Sequence, residues 1–231
     1  MPENLANRLV RLRAELAKQR LDGLIIGRED MFQGEEVPPG DERLAYISGF
    51  TGSAGFALIT AYAAVLFSDG RYSLQMVSQT DPADWQCHTL PQYSLNDYLD
   101  QHPLNGLTIG IDPKLVTMTG YESYAESISK AGGQLTTTKA NLVDVIWHDQ
   151  PAMPEPSAWS MDDAVAGQSV ADKLQVLADD LRQQNVRAAL LSRVDAVNWL
   201  VNMRGGDLPC TPVNLCFAFF VRLIWIHYLF T

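Results

Sequence analysis

The chain has 231 residues, of which 47% are hydrophobic and 19% are charged, and its 17 Lys and Arg against 27 Asp and Glu give a net charge of −10. This composition is typical of a globular protein with a hydrophobic core, and it excludes disorder, collagen and coiled coil as descriptions of the whole chain. An anionic chain repels phosphate, so nucleic-acid binding through a basic surface is not expected. The length allows one large domain or two small ones.

Three cysteines, Cys87, Cys210 and Cys216, form an odd number without Cys-x-x-Cys spacing. This argues against a disulfide framework and against a structural zinc site, and it favours free thiols in a reducing compartment. The N-terminal stretch is basic and has no apolar segment of the kind found in secretion signals. We therefore expect a cytoplasmic protein.

Helix and strand patterns alternate along the first 150 residues. Leucines at helical spacing predict an amphipathic first helix (Leu5, Leu9, Leu12 and Leu16). Short apolar runs predict strands at 24–26, 44–47, 56–60, 64–67, 85–90, 107–111 and 134–138, with helices at 71–78 and 143–147. Two capping-box patterns, Ser94 with Asp97 and Thr119 with Glu122, mark two more helix starts. Alternation with short connections predicts an α/β fold.

Three prolines, Pro151, Pro154 and Pro156, interrupt the pattern. Proline at this density continues neither helix nor sheet, so we predict a linker over 151–159 between a domain at 1–150 and a second domain at 160–231. In the second domain, apolar spacing predicts a helix (Val170, Leu174, Leu177 and Leu181), then a strand at 188–191 and a helix at 194–203.

The two domains begin alike. Residues 12–26 align with 177–191 at their apolar positions and at one glutamine, and 44–47 resemble 197–200, each followed by a glycine-containing turn. The pattern favours an internal duplication. The second copy stops well short of the first, so we expect an incomplete sheet and a less stable domain.

The last segment, 213–230, is mostly apolar but is interrupted by Asn214, Arg222 and His227. A membrane span needs about 20 apolar residues with few charges. Three interpretations stay open: a buried strand followed by an apolar tail, a marginal tail anchor, or residues that do not belong to the fold.

Few residues suggest chemistry. The four histidines, His88, His102, His148 and His227, share no motif. Glycines in the turn at 48–55 are spaced by three, which favours tight packing over a dinucleotide site. Ser53 in the same turn has no evident base partner. The turn at 204–209 is interpreted as a helix C-cap followed by a proline-bounded loop.

The turn Asp69-Gly70-Arg71-Tyr72 is the strongest candidate for a binding site. Gly70 would permit a sharp strand-to-helix turn and would place Arg71 at the edge of the sheet, where ligands tend to bind. The arginine could then hold a carboxylate or a peptide carbonyl. The alternative is that Arg71 pairs with Asp69.

Four segments in order carry a family resemblance: 46–55 (YISGFTGSAG), 68–72 (SDGRY), 141–147 (NLVDVIW) and 198–209 (NWLVNMRGGDLP). They resemble the N-terminal region of Xaa-Pro aminopeptidases (aminopeptidase P, peptidase family M24), and the resemblance covers about residues 3–220. The chain departs from the family at Thr211, where the family has asparagine, and after about Phe220 the similarity fades.

The resemblance implies a creatinase N-terminal-like (ribonuclease H-like) α/β domain with a mixed sheet, followed by a second, incomplete domain of the same type. The family's C-terminal "pita-bread" catalytic domain, which holds two divalent metals, usually Mn²⁺, is expected to be absent. The resemblance assigns this chain no catalytic residue, no metal ligand and no cofactor of its own. It implies that Arg71 corresponds to the family arginine that reaches toward the bound peptide.

The expected function is that of the non-catalytic N-terminal part of a metal-dependent Xaa-Pro aminopeptidase, which removes the N-terminal residue that precedes proline. The chain would contribute to binding peptides with proline at the second position and to forming a homodimer, without nucleic-acid or membrane partners. Whether it is an enzyme by itself stays open, although we expect it to be inactive alone. The alternatives are a stand-alone binding or regulatory module and an inactive truncated gene product.

Overall fold

The structure is a computed structural model that describes residues 4–221 and the backbone of residues 226–229. The chain forms two compact units. The first unit comprises Met1–Met31 and Gly40–Pro151, and the second comprises Phe32–Pro39 and Ala152–Thr231. A short segment from the first half of the sequence, Phe32–Pro39, therefore belongs to the second unit. The predicted domain ranges, 1–150 and 160–231, had placed this segment in the first domain.

The first unit is an α/β unit around one mixed sheet. Its strands are β1 (Gly23–Gly27), β2 (Phe56–Thr60), β3 (Ala64–Asp69), β4 (Gln86–Leu90), β5 (Thr108–Ile111) and β6 (Gln134–Thr137). Their order in the sheet is β4-β3-β2-β1-β5-β6. The β2 strand is antiparallel to both of its neighbours, and the other neighbouring pairs are parallel. The predicted fold class, α/β with a mixed sheet, is confirmed.

Helices cover both faces of this sheet. They are α1 (Leu5–Gln19), α2 (Arg43–Ser48), α3 (Ser73–Gln79), α4 (Leu95–Gln101), α5 (Met118–Lys130) and α6 (Leu142–Ile146). Alternate strand residues point to opposite faces. Leu24 and Ile26 therefore join a core with α1, α2 and α6, whereas Ile25 joins a core with α4 and α5.

Local signals explain where several helices begin and end. The Asn4 side chain accepts a hydrogen bond from the Ala6 amide at 3.2 Å and caps α1, which ends at Arg20 in the left-handed conformation with φ 57°. The capping box predicted at Ser94 is confirmed, because Ser94 Oγ accepts from the Asp97 amide at 3.3 Å and Asp97 Oδ2 accepts from the Ser94 amide at 2.7 Å. Such caps satisfy amide groups that have no partner inside the helix.

Two predictions in this unit are wrong. Residues 44–47 form part of α2 rather than a strand, because a short run that is apolar throughout fits a buried helix as well as a buried strand. The missed signal was Gly49, which ends α2 in the left-handed conformation with φ 82°. The second helix cap predicted at Thr119 lies at Thr117, whose side chain accepts from the Gly120 amide at 3.1 Å.

The second unit repeats part of this plan. Its elements are β7 (Trp159–Ser160), α7 (Asp163–Ala166), α8 (Val170–Gln183), β8 (Ala188–Leu191), α9 (Val194–Leu200), β9 (Met203–Arg204), β10 (Phe217–Val221) and β11 (Ile226–Leu229). One sheet has the order β11-β10-β8 with antiparallel pairs, and β7 pairs with β9. The helix predicted at 194–203 ends at Leu200, and Asn202 follows with φ 47°.

The segment Phe32–Pro39 packs on the C-terminal part of this unit. The rings of Phe32 and Phe217 lie 4.9 Å apart. The Thr211 hydroxyl donates a hydrogen bond to Glu36 Oε2 at 2.7 Å. Phe32 and Val37 are buried. The segment therefore contributes apolar side chains to the core of the second unit.

The apolar C-terminal segment begins as a strand that is buried on one face. Ala218 and Phe220 of β10 are buried, as is Cys216 just before it. Of the three interpretations of 213–230, the strand is confirmed as far as Val221, although it is buried on one face only and Phe219 is 39% exposed. Residues 222–225 and 230–231, on which the tail interpretations also rest, lie outside the described residues. Within the described part of the chain, no helix has both the length and the apolar character needed to cross a membrane.

Candidate functional site

The turn that carries Arg71 follows β3 directly and forms one turn of 3₁₀ helix, Gly70–Tyr72, before α3. Asp69 caps this turn, since its Oδ1 accepts a hydrogen bond from the Arg71 amide at 2.9 Å. Gly70 does not have a positive φ, and a Cβ placed there would contact nothing within 4 Å. The turn therefore does not require glycine, contrary to the expectation from the sequence.

The Arg71 side chain pairs with the same carboxylate. Its Nε donates to Asp69 Oδ1 at 3.0 Å and its Nη2 donates to Asp69 Oδ2 at 2.7 Å. These hydrogen bonds from Arg71 hold the pKa of Asp69 below its usual value. The Arg71 side chain is nevertheless 62% exposed. The structure thus shows the ion pair that the sequence left as an alternative, on a side chain that still faces solvent.

Tyr72 connects this turn to the glycine-rich turn at 48–55. Its hydroxyl lies 2.8 Å from Ser53 Oγ, and its ring packs edge-on against Phe50 with centroids 5.7 Å apart. The hydrogen bond with Ser53 lowers the pKa of Tyr72. The Ser53 hydroxyl thus pairs with a phenol, which is not the base that a nucleophilic serine needs.

The glycines of the 48–55 turn have structural reasons to be glycine. Gly49 and Gly55 have φ of 82° and 144°, which side-chain-bearing residues rarely adopt. A Cβ at Gly55 would come within 2.6 Å of the Phe67 carbonyl oxygen. The glycine spacing is therefore explained by backbone conformation and close packing, as the sequence favoured, and not by a dinucleotide site.

The structure brings together two of the histidines. His88 stacks on Tyr93 with centroids 4.2 Å apart, and His102 stacks on Tyr98 with centroids 4.3 Å apart. Partial burial, and secondarily the charge of His102, lower the pKa of His88. The side chain of His227 lies outside the described residues. Across residues 4–221 no group of three or more His, Cys, Asp or Glu side chains could hold a metal ion.

The turn at 204–209 is a structural loop, and the predicted helix C-cap there is wrong because Arg204 lies in β9. Asp207 Oδ2 accepts from the Leu215 amide at 2.6 Å, and Asp207 Oδ1 accepts from Asn214 Nδ2 at 3.3 Å. Asn198 then pairs with the backbone of Asn214 through both side-chain atoms, at 2.9 and 3.0 Å. The loop's polar groups therefore bind its own unit.

Sequence reasoning missed one repeated interaction. In the first unit, Arg8 donates to the Tyr46 carbonyl oxygen at 2.6 Å, and its guanidinium lies 4.1 Å from the centre of the Tyr46 ring. In the second unit, Lys173 donates to the Trp199 carbonyl oxygen at 2.8 Å and lies 4.2 Å from that ring. The alignment of 12–26 with 177–191, extended by one helical turn toward the N-terminus, would have matched Arg8 with Lys173.

Comparison with known families gives the class of protein. Models described as the creatinase/prolidase N-terminal domain match residues 8–145 and 149–230. The chain belongs to this family and contains two such domains in succession, which is the duplication that the sequence favoured.

Similar proteins within this family are named as Xaa-Pro aminopeptidases. "Probable Xaa-Pro aminopeptidase P" of Aspergillus clavatus is 34% identical over 221 residues, which are 93% of this chain and 33% of that protein. The protein of the same name from Ajellomyces dermatitidis is 33% identical, over 94% of this chain and 36% of that protein. The chain thus spans about a third of these relatives. Its resemblance to the N-terminal creatinase-like domains of Xaa-Pro aminopeptidases is confirmed.

A solved structure supports the same relationship. The X-prolyl aminopeptidase from Caenorhabditis elegans, described as a cytosolic enzyme with a di-nuclear active site, matches with a TM-score of 0.89 and 27% sequence identity. The match covers 97% of this chain and 38% of that one.

Proposed function

We propose that this chain is the non-catalytic N-terminal part of a metal-dependent Xaa-Pro aminopeptidase, an enzyme that removes the N-terminal residue that precedes proline. The observation that carries the proposal is the succession of two creatinase/prolidase N-terminal domains along the chain. The C. elegans enzyme supports it, because this chain aligns with 38% of that protein at a TM-score of 0.89.

The metals of such an enzyme would not be held by this part of the protein. Within the described residues no cluster of side chains has the composition of a metal site, so these residues do not fit the group. We propose that two divalent ions, Mn²⁺ by analogy with the family, are bound in the catalytic domain of the longer protein. Metal ions in such sites generate a hydroxide nucleophile at neutral pH.

Arg71 is the residue through which this chain would contact a peptide. Its pairing with Asp69 holds the guanidinium at the end of β3 while the side chain remains largely exposed. We propose that Asp69 positions Arg71 and that Arg71 donates to a carbonyl or carboxylate of the bound peptide.

The location and assembly of the protein follow from the same proposal. The C. elegans relative is described as cytosolic, and we propose a cytoplasmic location here as well. We also propose that the parent protein is a homodimer, which sedimentation of a full-length form would test.

A chimera tests the role of Arg71. This chain would replace the corresponding N-terminal region of the C. elegans enzyme, and cleavage of an Xaa-Pro peptide would be measured with added Mn²⁺. Arg71→Ala removes a charge-assisted hydrogen bond, so we expect kcat/KM to fall about tenfold to a hundredfold. Arg71→Lys should recover only part of this loss, because lysine lacks the planar fork of donors.

Arg193→Ala provides the matched control. Arg193 is also exposed and also pairs with an aspartate two residues away, Asp195. We expect no change in kcat/KM for this variant. Equal activity of the Arg71→Ala chimera and the unmutated chimera would remove Arg71 from the site. Cleavage of the peptide by the 231-residue chain alone would show that the chain is itself catalytic.

A further inference from the structure

Each unit has an aromatic ring that packs against a cation, but only the ring of the first unit is covered. Tyr46 is 6% exposed, and the indole of Trp147 stacks on its ring with centroids 4.4 Å apart and an interplanar angle of 15°. Trp199, which lies at the corresponding position of the second unit, is 54% exposed. Among residues 4–221 no aromatic ring packs on Trp199, so this part of the second unit lacks a counterpart of Trp147.

The cover in the first unit is the short helix α6 together with Trp147, which follows it directly. The carbonyl oxygen of Ile146 accepts hydrogen bonds from the Tyr46 hydroxyl at 3.2 Å and from the guanidinium of Arg11. The apolar side chains of α6 share a core with α1 and α2: Leu142, Val143 and Ile146. A short apolar helix with an indole at its C-terminal end therefore closes this side of α1 and α2.

The corresponding side of α8 and α9 is open. Val176 lies at the position of Arg11 in the repeat, three residues after Lys173 and therefore on the same side of α8. Its side chain is exposed. The indole N–H of Trp199 has no acceptor among the residues that the structure describes, unlike the hydroxyl of Tyr46. An apolar side chain, an aromatic ring and an N–H donor are thus exposed where the first unit holds α6.

We propose that Trp199 and Val176 form a docking surface for a short apolar helix that ends in an aromatic residue. The helix would belong to a later segment of the parent protein, so the inference rests on the proposed function, in which this chain is the N-terminal part of a longer enzyme. The relatives support this source, because this chain spans 33% and 36% of their length.

The contacts at this surface would repeat those of the first unit. The aromatic ring of the helix would stack on Trp199, and the indole N–H would donate to a carbonyl oxygen at the end of the helix, as Tyr46 does with Trp147 and Ile146. Lys173, whose ammonium lies 4.2 Å from the centre of the Trp199 ring, places a positive charge beside those carbonyl oxygens. The surface therefore favours the C-terminal end of a helix.

A synthetic peptide and the 231-residue chain test the docking surface without any peptidase activity. The peptide has the sequence of residues 139–149, KANLVDVIWHD, which includes α6 and Trp147. Fluorescence anisotropy of the labelled peptide measures its affinity. The NMR signal of the Trp199 indole N–H, identified by its loss in Trp199→Ala, reports where the peptide binds. We expect saturable binding that shifts this signal, and binding about tenfold weaker when the peptide carries Trp147→Ala.

Substitutions in the chain separate this surface from other exposed side chains. Trp199→Ala should weaken peptide binding about tenfold and Val176→Ser by a few-fold, because both remove apolar contact area. Val176 is exposed, so its substitution keeps the test valid even if Trp199→Ala fails to fold. Leu190→Ser is the matched control, since Leu190 is also exposed but lies between two β8 residues that pack on α8, and therefore on the opposite face of the sheet.

The source of the helix is tested with the chimera in which this chain replaces the N-terminal region of the C. elegans enzyme. The remainder of that enzyme should supply the helix, so the peptide should not bind the chimera at concentrations that saturate the 231-residue chain. An inactive chimera would contradict the proposed function, whereas peptide binding to the 231-residue chain does not depend on activity.

Four results would overturn the proposal. They are absence of saturable binding to the 231-residue chain, equal binding of the Trp147→Ala peptide, equal losses in Val176→Ser and Leu190→Ser, and undiminished binding of the peptide to the chimera.

Discussion

The two units start from the same helix and strand. Asn4 and Ser169 cap α1 and α8, and each helix is followed by a left-handed residue, Arg20 with φ 57° and Asn185 with φ 54°. These pairs lie the same distance apart in the sequence, as do Arg8 and Lys173. Conservation of a cap, a turn and a cation contact shows that the repeat extends beyond an apolar pattern.

The units differ on the opposite face of the sheet. Ile25 of β1 pairs with Leu58 of β2, and these side chains are 3% and 1% exposed beneath α4 and α5. The corresponding pair in the second unit, Leu190 of β8 and Phe219 of β10, is 65% and 39% exposed. Apolar burial is the main favourable contribution to folding. The two units therefore share their first helix and strand, but the second unit lacks the stabilisation that apolar burial on this face gives the first.

The units also differ in how many neighbours their first long strand has in its sheet. The β1 strand pairs with both β2 and β5, whereas in the described residues β8 pairs only with β10. An unpaired strand edge leaves amide groups open to solvent. The comparison therefore predicts that the second unit opens more easily than the first.

The largest expected effect comes from truncating the matched pair Leu58 and Phe219. Leu58→Ala should lower the free energy of unfolding of the first unit by about 2–5 kcal/mol, because it leaves a cavity in a buried site. Phe219→Ala should cost the second unit less, since part of the ring already contacts solvent. Urea unfolding combined with hydrogen exchange of β1 and β8 measures both. Similar losses of unfolding free energy, or equal hydrogen-exchange protection of β1 and β8, would contradict the predicted difference between the units.

A smaller effect is expected from the repeated cation contact. Arg8→Met removes a charged donor from the Tyr46 carbonyl oxygen, and Lys173→Met removes one from the Trp199 carbonyl oxygen and from Asn202 Oδ1. We expect each change to lower the free energy of unfolding of its own unit by about 1–3 kcal/mol. Lys130→Met is the control, because its pair with Glu126 is exposed to solvent and an exposed ion pair contributes little to stability. A loss in only one unit would show that the two contacts are not equivalent.

The smallest expected effect is a pH dependence confined to the first unit. Burial keeps the pKa of His88 below 6.5, so the unfolded chain binds this proton more readily than the folded chain. Stability present above pH 6.5 is therefore lost as the pH falls through the folded-state pKa of His88. The second unit has no histidine among its described side chains.

Hydrogen exchange of β1 and β8 between pH 7 and pH 5.5, corrected for the intrinsic exchange rate, would measure this difference. The His88→Phe variant should remove it, since phenylalanine keeps the stacking on Tyr93 but does not titrate. A pH dependence that persists in this variant would assign it to another group.

The sequence predicted elements whose signals are local. The leucine spacing of α1, the Ser94 capping box and the strand hairpin at 56–67 all depend on neighbours in the sequence, and the structure confirms them. The α2 helix was missed because four apolar residues have no distinguishable period. For the candidate site, the sequence singled out Arg71, and its ion pair with Asp69 is also a local contact.

Long-range contacts were beyond this kind of prediction. The packing of Phe32 against Phe217 joins residues far apart in the sequence, and neither residue's neighbours indicate the other. The parallel pairing of β1 with β5 likewise joins segments that are far apart in the sequence.

The inclusion of Phe32–Pro39 in the second unit has a consequence for how this protein could be divided or inherited. The polypeptide passes between the two units after Met31, after Pro39 and after Pro151. No single cut, by a protease or by genetic recombination, can release an intact second unit. A gene segment encoding only residues 152–231 would lack Phe32, Glu36 and Val37. The two domains thus repeat each other in sequence, but the second cannot be cut out or exchanged as one continuous segment.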